Sequence, residues 1–553
     1  MKKHVKIPVL LLAVIMIFTM FAGCSKTSSD KPSEDAGQQE AAMPDYVTRE
    51  VGGLGLPLCA EKEELTIWLV YSGAVVTDLN DIEGVKRMEE NTNVHINWIP
   101  VEQNELRDKY GILLSSGEYP DIIYANMAYP GGFEKGVEDG VIHPDMDTLI
   151  RTYMPNYMAL INSSDQARRE ASSDAGKLLV ARTIVGQDKT AESEGTYQGL
   201  AYRADLLEDL GLDVPTTVEE WHEALVAAKD AGIEAPFNLD QNGGSPLALA
   251  WGVATDNWLQ LDGDKVVCGA TLPTFEGYLE TMKQWYSEGL INPNFTSFHY
   301  YLTTPESVNS NQCLLYSRVL SAFTGKNYVN YRMVTEQPDA FLQAIPMPVL
   351  KAGDEVIQYG NRLIAKEGAY ITTSCKNPEL AAKWLDYQYS EEGQYLNWYG
   401  IEGVTYEIGE DGTPVFTDIV FNNDTGMSPS DFLQKYALNQ GQSWLGKHDV
   451  SASWKISTAA AGGQNQELIS VAIWSEPKTN IYLTDTITLT EAEGDEANTK
   501  MTALRTMIEE YTVNYIIGQE VKPFEEFQKD LIEFGVEDVV AIYQAGYNRF
   551  LAR

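Results

Sequence analysis

Glu64-Leu65-Thr66-Ile67-Trp68-Leu69-Val70-Tyr71 opens the stretch that decides the fold, which runs on to Asn126. These mostly apolar residues read as a strand. Asp81 to Glu90 reads as a helix. Val94-His95-Ile96-Asn97-Trp98-Ile99-Pro100-Val101 alternates in strand fashion at Val94, Ile96 and Trp98. Asn104 to Ser115 is helical in pattern, and Pro120-Asp121-Ile122-Ile123-Tyr124-Ala125-Asn126 is another short buried strand. The β-α-β-α-β order predicts a mostly parallel sheet covered by helices, the α/β class. In such sheets ligands meet the loops at the strand carboxyl ends. Those loops are Tyr71-Ser72-Gly73 and the run from Asn126 to Gly132.

Outward from this stretch, strands and helices keep interleaving. Thr217 to Glu220 is a capping box that opens a helix with Trp221, Leu225 and Ala228 on its inner face, closed by Gly232. Asn377-Pro378-Glu379 is a second helix start, with Asn as N-cap and Pro at the first helical position. The last part of the chain is helical: Met501, Leu504, Ile508, Tyr511 and Tyr515 share one face, followed by Phe524, Phe527 and Leu531, then Val539, Val540, Tyr543 and Tyr547. There is no internal repeat.

The amino end bears on the compartment. Lys2, Lys3 and Lys6 precede an uncharged apolar run from Ile7 to Phe21, the form of a signal peptide and too short to span a bilayer comfortably. Phe21-Ala22-Gly23-Cys24 resembles a bacterial lipobox, in which the cysteine is lipidated, with Phe21 in place of the usual Leu. Residues 25 to about 44 lack the aromatics needed to build a core and are expected to form a disordered tether. The remaining residues, about 500, are too many for one compact core. Against 40 Lys plus Arg stand 80 Asp plus Glu, a formal charge of −40, which argues against a nucleic-acid partner. Cys59, Cys268, Cys313 and Cys375 are scattered, without the spacing of a metal site; two disulfides and buried free thiols are both open.

Four motifs then occur in order. Tyr202-Arg203-Ala204-Asp205-Leu206-Leu207 with Gly211 to Trp221, and Asn377 to Asp386 with Ser390-Glu391-Glu392-Gly393, resemble family 1 extracellular solute-binding proteins of the maltose-binding type. Tyr399-Gly400-Ile401-Glu402-Gly403-Val404-Thr405-Tyr406 is similar to a signature of the oligosaccharide-binding lipoproteins of Gram-positive bacteria, to which alginate-binding proteins are more distantly related. Gly140 to Pro144 with Tyr153 to Asn156 fits the same subfamily. The resemblance implies a hinged, two-lobed periplasmic-binding-protein fold of type II with extra C-terminal helices. On it we expect a signal peptide over 1–23, lipidated Cys24 and tether over 24–59, one lobe from 60–192 plus 366–400, and the other from 193–365 plus 401–553. The crossovers are expected near 190–200, 360–368 and 398–406, with Glu402 as a hinge residue. Several relatives carry a calcium loop after the helix that starts near Pro215; Ala228 to Pro236 has too few oxygen ligands for one, so neither metal nor cofactor is expected.

The resemblance further implies an extracytoplasmic, membrane-anchored monomer that captures a carbohydrate for an ABC permease and catalyses nothing. Sugars need aromatic planes to stack on and directional polar groups, and the chain has 11 Trp and 30 Tyr. Candidate ligand contacts are Tyr71, Asn126 and Tyr129 at strand ends, Trp251, Asp256 and Trp258 in one loop of the second lobe, Arg362 before the second crossover, and Trp474. A receptor for a non-sugar solute, a partner of a sensor kinase and a secreted glycoside hydrolase are the rival readings; against the last, the chain carries no HExxH, GxSxG or P-loop.

Overall fold

The computed structural model describes residues 44–185, 198–256, 258–297, 312–319, 342–358, 363–410, 412–441, 443, 445–448, 466–475 and 479–553. The expected signal peptide, Cys24 and most of the expected tether lie outside these. Two central sheets are built from β1 (Glu63–Val70), β2 (Val94–Val101), β3 (Ile122–Ala125), β4 (Ala181–Ile184), β5 (Gln198–Arg203), β6 (Phe237–Asn238), β7 (Leu315–Val319), β8 (Leu342–Ala344) and β9 (Ile364–Ile371).

The first sheet has the order β2-β1-β3-β9-β4. Its parallel heart is the stretch that opened the sequence reading: Glu63 to Val70 pairs in register with Val94 to Val101, and Ile67 to Leu69 with Ile122 to Tyr124. Helices Glu83–Thr92 and Leu106–Ser116 connect these strands. The central β1 is buried over its last residues, while edge strand β2 exposes Asn97 and Ile99 and carries Pro100, which a central strand would not tolerate. β9 enters from far along the chain, antiparallel to both β3 and β4. The second sheet has the order β8-β5-β7-β6, with β7 antiparallel to β5 and parallel to β6.

Each sheet has its own core. Ile67, Leu69, Ile122, Trp384 and Leu385 belong to the first; Trp221, Leu225, Phe237, Trp285, Leu504, Ile508 and Leu531 to the second. The capping box is present, with Thr217 and Glu220 capping reciprocally, and the Asn377 side chain accepts from the Leu380 amide; such caps are worth about 1 kcal/mol each. Helices Glu491–Ile516, Phe524–Phe534 and Val536–Leu551 pack on the second core. Among the described residues no helix is long and apolar enough to cross a membrane, and Cys59, Cys268, Cys313 and Cys375 are free thiols.

Two expected boundaries are corrected. Residues 44–59, assigned to the tether, instead include a hairpin of Arg49–Val51 and Leu54–Leu56 whose Leu54, Leu56 and Leu58 are buried in the first core. Arg49 donates to both carboxylate oxygens of Glu392 at 2.6 and 2.8 Å, and Asn156 Nδ2 donates to the Val51 carbonyl at 3.2 Å, strapping the hairpin to the first lobe. Residues 401–447, assigned to the second lobe, pack on the first. Glu83 and Gly84 donate their amides to Lys435 and Tyr436 at 2.9 Å each, and Ser72 donates to Gly441 at 2.8 Å. The signature around Glu402 is a compact turn. Gly400 and Gly403 adopt φ of 89° and 75°, and the Thr405 hydroxyl donates to the Tyr399 carbonyl at 2.6 Å. Glu402 is therefore no hinge, and the chain stays on the first lobe as far as His448, which donates to Ile184 at 2.8 Å.

Candidate functional site

The strand directions locate the edges between which the chain crosses from one sheet to the other. In the first sheet β1, β2 and β3 all end at one edge; β4, antiparallel to β9 as β3 is, ends there too, and β9 begins there. The chain leaves that edge after β4 and returns to it at β9. In the second sheet the matching edge holds the start of β5 and the ends of β6 and β7. In open α/β sheets ligands usually bind outside such strand ends.

On the first lobe this edge is a polar rim. The end of β1 supplies Ser72, whose hydroxyl accepts from the Gln103 amide at 3.2 Å. Gln103, just past β2, accepts from Asn126 Nδ2 at 3.4 Å, and Asn126 follows β3. Asn126 is half-buried and Gln103 exposed, so amide groups on this rim can both donate and accept. Tyr71 lies beneath them, 4% exposed, its hydroxyl buried without a hydrogen-bond partner in the described structure. Burial pushes its pKa up to about 12. Its ring lies against Gly441, where an added Cβ would sit 2.0 Å from the ring, so Tyr71 offers no stacking face to a ligand. Tyr129 is turned away: its buried ring sits in the first core and its hydroxyl donates to Asp139 at 3.0 Å.

On the second lobe the expected residues separate. Trp251 is half-buried, edge-on to Tyr278 with ring centroids 5.6 Å apart, and Asp256 is exposed in the following loop. Trp258 is 0% exposed; its backbone is left-handed at φ 63° and its ring packs edge-on against Phe275 at 5.4 Å. That turn directs the indole into the core, so the ring offers no face to a ligand. Trp474, expected as a weaker contact, is 1% exposed and donates its indole N–H to the Ile345 carbonyl at 3.1 Å. It too packs the core. Arg362 lies outside the described residues.

The structure adds a cavity of about 330 Å³ lined by Gln241, Asn242, Thr296, Glu509, Glu510 and Asn514, with Val513. It lies past the carboxyl end of β6. The turn that forms it is shaped by Gly243 at φ 76°, with the Asn242 side chain accepting from the Gly244 amide at 2.8 Å. Amides, a hydroxyl and carboxylates with one apolar side chain suit a hydroxyl-rich ligand. The sequence reading passed over this cavity and Gln103. The polar run Asp240 to Ser245 was the available signal for the turn, but nothing in it announces Glu509 or Asn514, which are more than 260 residues away. The helix preceding β6 ends in a tight closure, with Gly232 at φ 100° and the Ile233 amide donating to Ala228 at 3.0 Å.

A family model described as bacterial extracellular solute-binding protein matches residues 81–395. The chain is 23% identical over 540 residues, 93% of this chain and 94% of the relative, to the fructooligosaccharide ABC transporter substrate-binding protein FusA of Streptococcus pneumoniae serotype 4. The structure of FusA in complex with kestose aligns with a TM-score of 0.65 at 20% identity, covering 88% of this chain and 99% of that one. Lipoprotein LipO of Bacillus subtilis is 22% identical over 378 residues, 64% of this chain and 69% of LipO. A solute-binding protein associated with an HMO-binding ABC transporter, from Bifidobacterium longum infantis, aligns with a TM-score of 0.69 at 15% identity, covering 88% and 99% of the two chains. These solved relatives share the fold.

Proposed function

The chain belongs to the bacterial extracellular solute-binding family, and from that premise we propose that it captures an oligosaccharide between its lobes and delivers it to an ABC permease. The observation that carries this reading is the pair of polar edges where the chain crosses between sheets: the rim of Ser72, Gln103 and Asn126 on one lobe, and the cavity with Gln241, Asn242 and Asn514 on the other. Their amides and hydroxyls suit rings of sugar hydroxyls. Trp251 and Asp256 are the contacts proposed for the second lobe, with Arg362 between β8 and β9. FusA, with its kestose complex, and the solute-binding protein associated with an HMO-binding ABC transporter supply the substrate class by likeness. The relatives are binding proteins, and the reading assigns this chain no catalytic step.

The mechanism follows from the fold. Ligand settles on one lobe, contacts from the other stabilise closure by hinge motion, and the closed form is the one the permease receives. Lipidation at Cys24, as in the lipoprotein LipO, holds the receptor near its permease and raises their effective concentration. The test is calorimetry and thermal melting against fructooligosaccharides, milk-type oligosaccharides and peptides. A saturable rise in melting temperature with one glycan class is expected, weakened about tenfold in affinity by Asn126→Ala. Binding to peptides and to no glycan would overturn the substrate class.

A further inference from the structure

The lobes touch at a place other than the crossovers. Helix Val536–Leu551 belongs to the second lobe: Val539, Tyr547 and Phe550 lie in that core, and the Gln544 side chain accepts the Val266 amide at 2.7 Å. From this helix and the turn after it, two guanidinium groups reach the first lobe. Arg549 Nε donates to Asp174 Oδ2 at 2.8 Å, and Arg553 donates through Nε and Nη2 to Asp174 Oδ1 at 3.0 and 2.7 Å. Arg553 Nη1 also donates to the Arg169 carbonyl at 3.2 Å. Asp174 sits in a first-lobe turn closed by Gly176 donating to Ser173 and fixed by Arg151 donating to the Gly176 carbonyl at 3.0 Å.

Both arginines are oriented from their own side. Arg549 donates to Glu493 at 3.0 and 2.6 Å and to the Thr488 carbonyl at 3.0 Å. Arg553 donates to the Thr486 carbonyl at 3.1 Å and to the Thr488 hydroxyl at 2.8 Å. The Arg553 side chain is 0% exposed. The grip also lies close to a crossover. Glu170, four residues before Asp174, accepts the amides of Leu363 and Ile364 at 2.9 Å each, where the chain re-enters the first sheet.

We propose that Asp174, held by Arg549 and Arg553, is an interlobe brace that sets how far the lobes open when no ligand is bound. The arginines are fixed forks and Asp174 is the part that moves against them. A guanidinium fork holds a carboxylate over a narrow range of directions, so a rotation of one lobe against the other releases the carboxylate instead of stretching the contact. Once released, Asp174 meets water, whereas Arg553 keeps only neutral partners. That asymmetry biases the molecule toward the gripped conformation, and a ligand must work with or against the bias.

The test needs no ligand, so it stands or falls independently of the oligosaccharide reading. Spin labels on Ser115→Cys and Glu533→Cys, one exposed site on each lobe, are introduced into the full chain in a Cys59→Ser background and the interlobe distance distribution is read by pulsed dipolar spectroscopy. Asp174→Asn is expected to lower the population of the parent distance at least about threefold relative to all others. Arg549→Gln is expected to do the same, Asp174→Glu to restore the parent distribution, and high salt to move the parent toward the Asn variant. Melting curves accompany each variant. An unmoved distribution in both Asp174→Asn and Arg549→Gln, with or without a lowered melting temperature, overturns the brace and leaves a merely structural ion pair.

Discussion

Both lobes are completed by late segments of the chain, but they hold those segments in different ways. The first lobe takes up residues 399–448 with Leu438 and Leu445 in its core and with backbone hydrogen bonds at glycines: Gly84 to Tyr436, Ser72 to Gly441, and Ile184 to Gly446. At Gly84 an added Cβ would lie 2.5 Å from the Tyr436 carbonyl oxygen and 2.7 Å from that of Leu396. The second lobe takes up residues 491–551 through side chains, with Leu504, Ile508 and Leu531 in its core and Tyr511 stacked on Phe527 at 3.8 Å. The first attachment depends on the absence of atoms as well as on filling volume, the second on filling volume. Two routes to the same end should therefore fail under different substitutions.

The largest expected effect breaks the first attachment. Gly84→Ala puts a methyl group against two backbone carbonyls, neither of which can rotate away, and is expected to destabilise the chain by about 3 kcal/mol in urea unfolding, the upper end for overpacking. A loss below about 1 kcal/mol would mean that the close approach is not a constraint.

The next effect tests whether side-chain ties to backbone in the first lobe carry a pH dependence. Buried Asp386 accepts the amides of Asn156 and Tyr157 at 3.2 and 2.9 Å and the Asn156 side chain at 2.8 Å. Burial raises its pKa to about 6, against the pull of those donors. The folded chain thus holds this proton more tightly than the unfolded one. The contribution is complete below the ordinary carboxylate pKa near 4 and is lost as pH rises through about 6, a span of about 3 kcal/mol. The stability difference between the parent and Asp386→Asn, measured from pH 4 to 7, should shift by this amount. A flat difference would mean that the three donors offset the burial.

The smallest effect concerns the second attachment. Leu504→Met conserves volume in a side-chain interface and should change stability by less than about 1.5 kcal/mol. Equal sensitivity at Gly84 and Leu504 would erase the contrast between the lobes.

What could be read from sequence follows the same division. The β1-to-β3 unit is local, and its apolar runs, the cap at Thr217 and the N-cap at Asn377 were legible because each rests on residues a few positions apart. The placement of residues 401–447 was not, since it turns on the bare backbone at Gly84 meeting Tyr436 more than 350 residues later. Resemblance named the signature at Tyr399 to Tyr406, but the lobe expected from it for the residues that follow was the other one. Within the candidate site, the position of Asn126 was legible as the end of a buried strand. Trp258 misled because an aromatic in a polar loop reads the same whether its backbone is extended or, as here, left-handed with the ring turned inward. Gln103 and the candidate cavity at Gln241 carry common side chains, and only their position in the fold marks them out.

The hairpin strapped by Arg49 to Glu392 has a mechanical consequence. Whatever pulls on the chain before residue 44 pulls on the first lobe alone, since the strap transmits load to it before any crossover is reached. Under the proposed lipidation of Cys24, the intervening twenty or so residues reach at most about 70 Å, which keeps the first lobe moored close to the bilayer. Under the proposed closure, the second lobe is then the one that swings, carrying its three late helices with it.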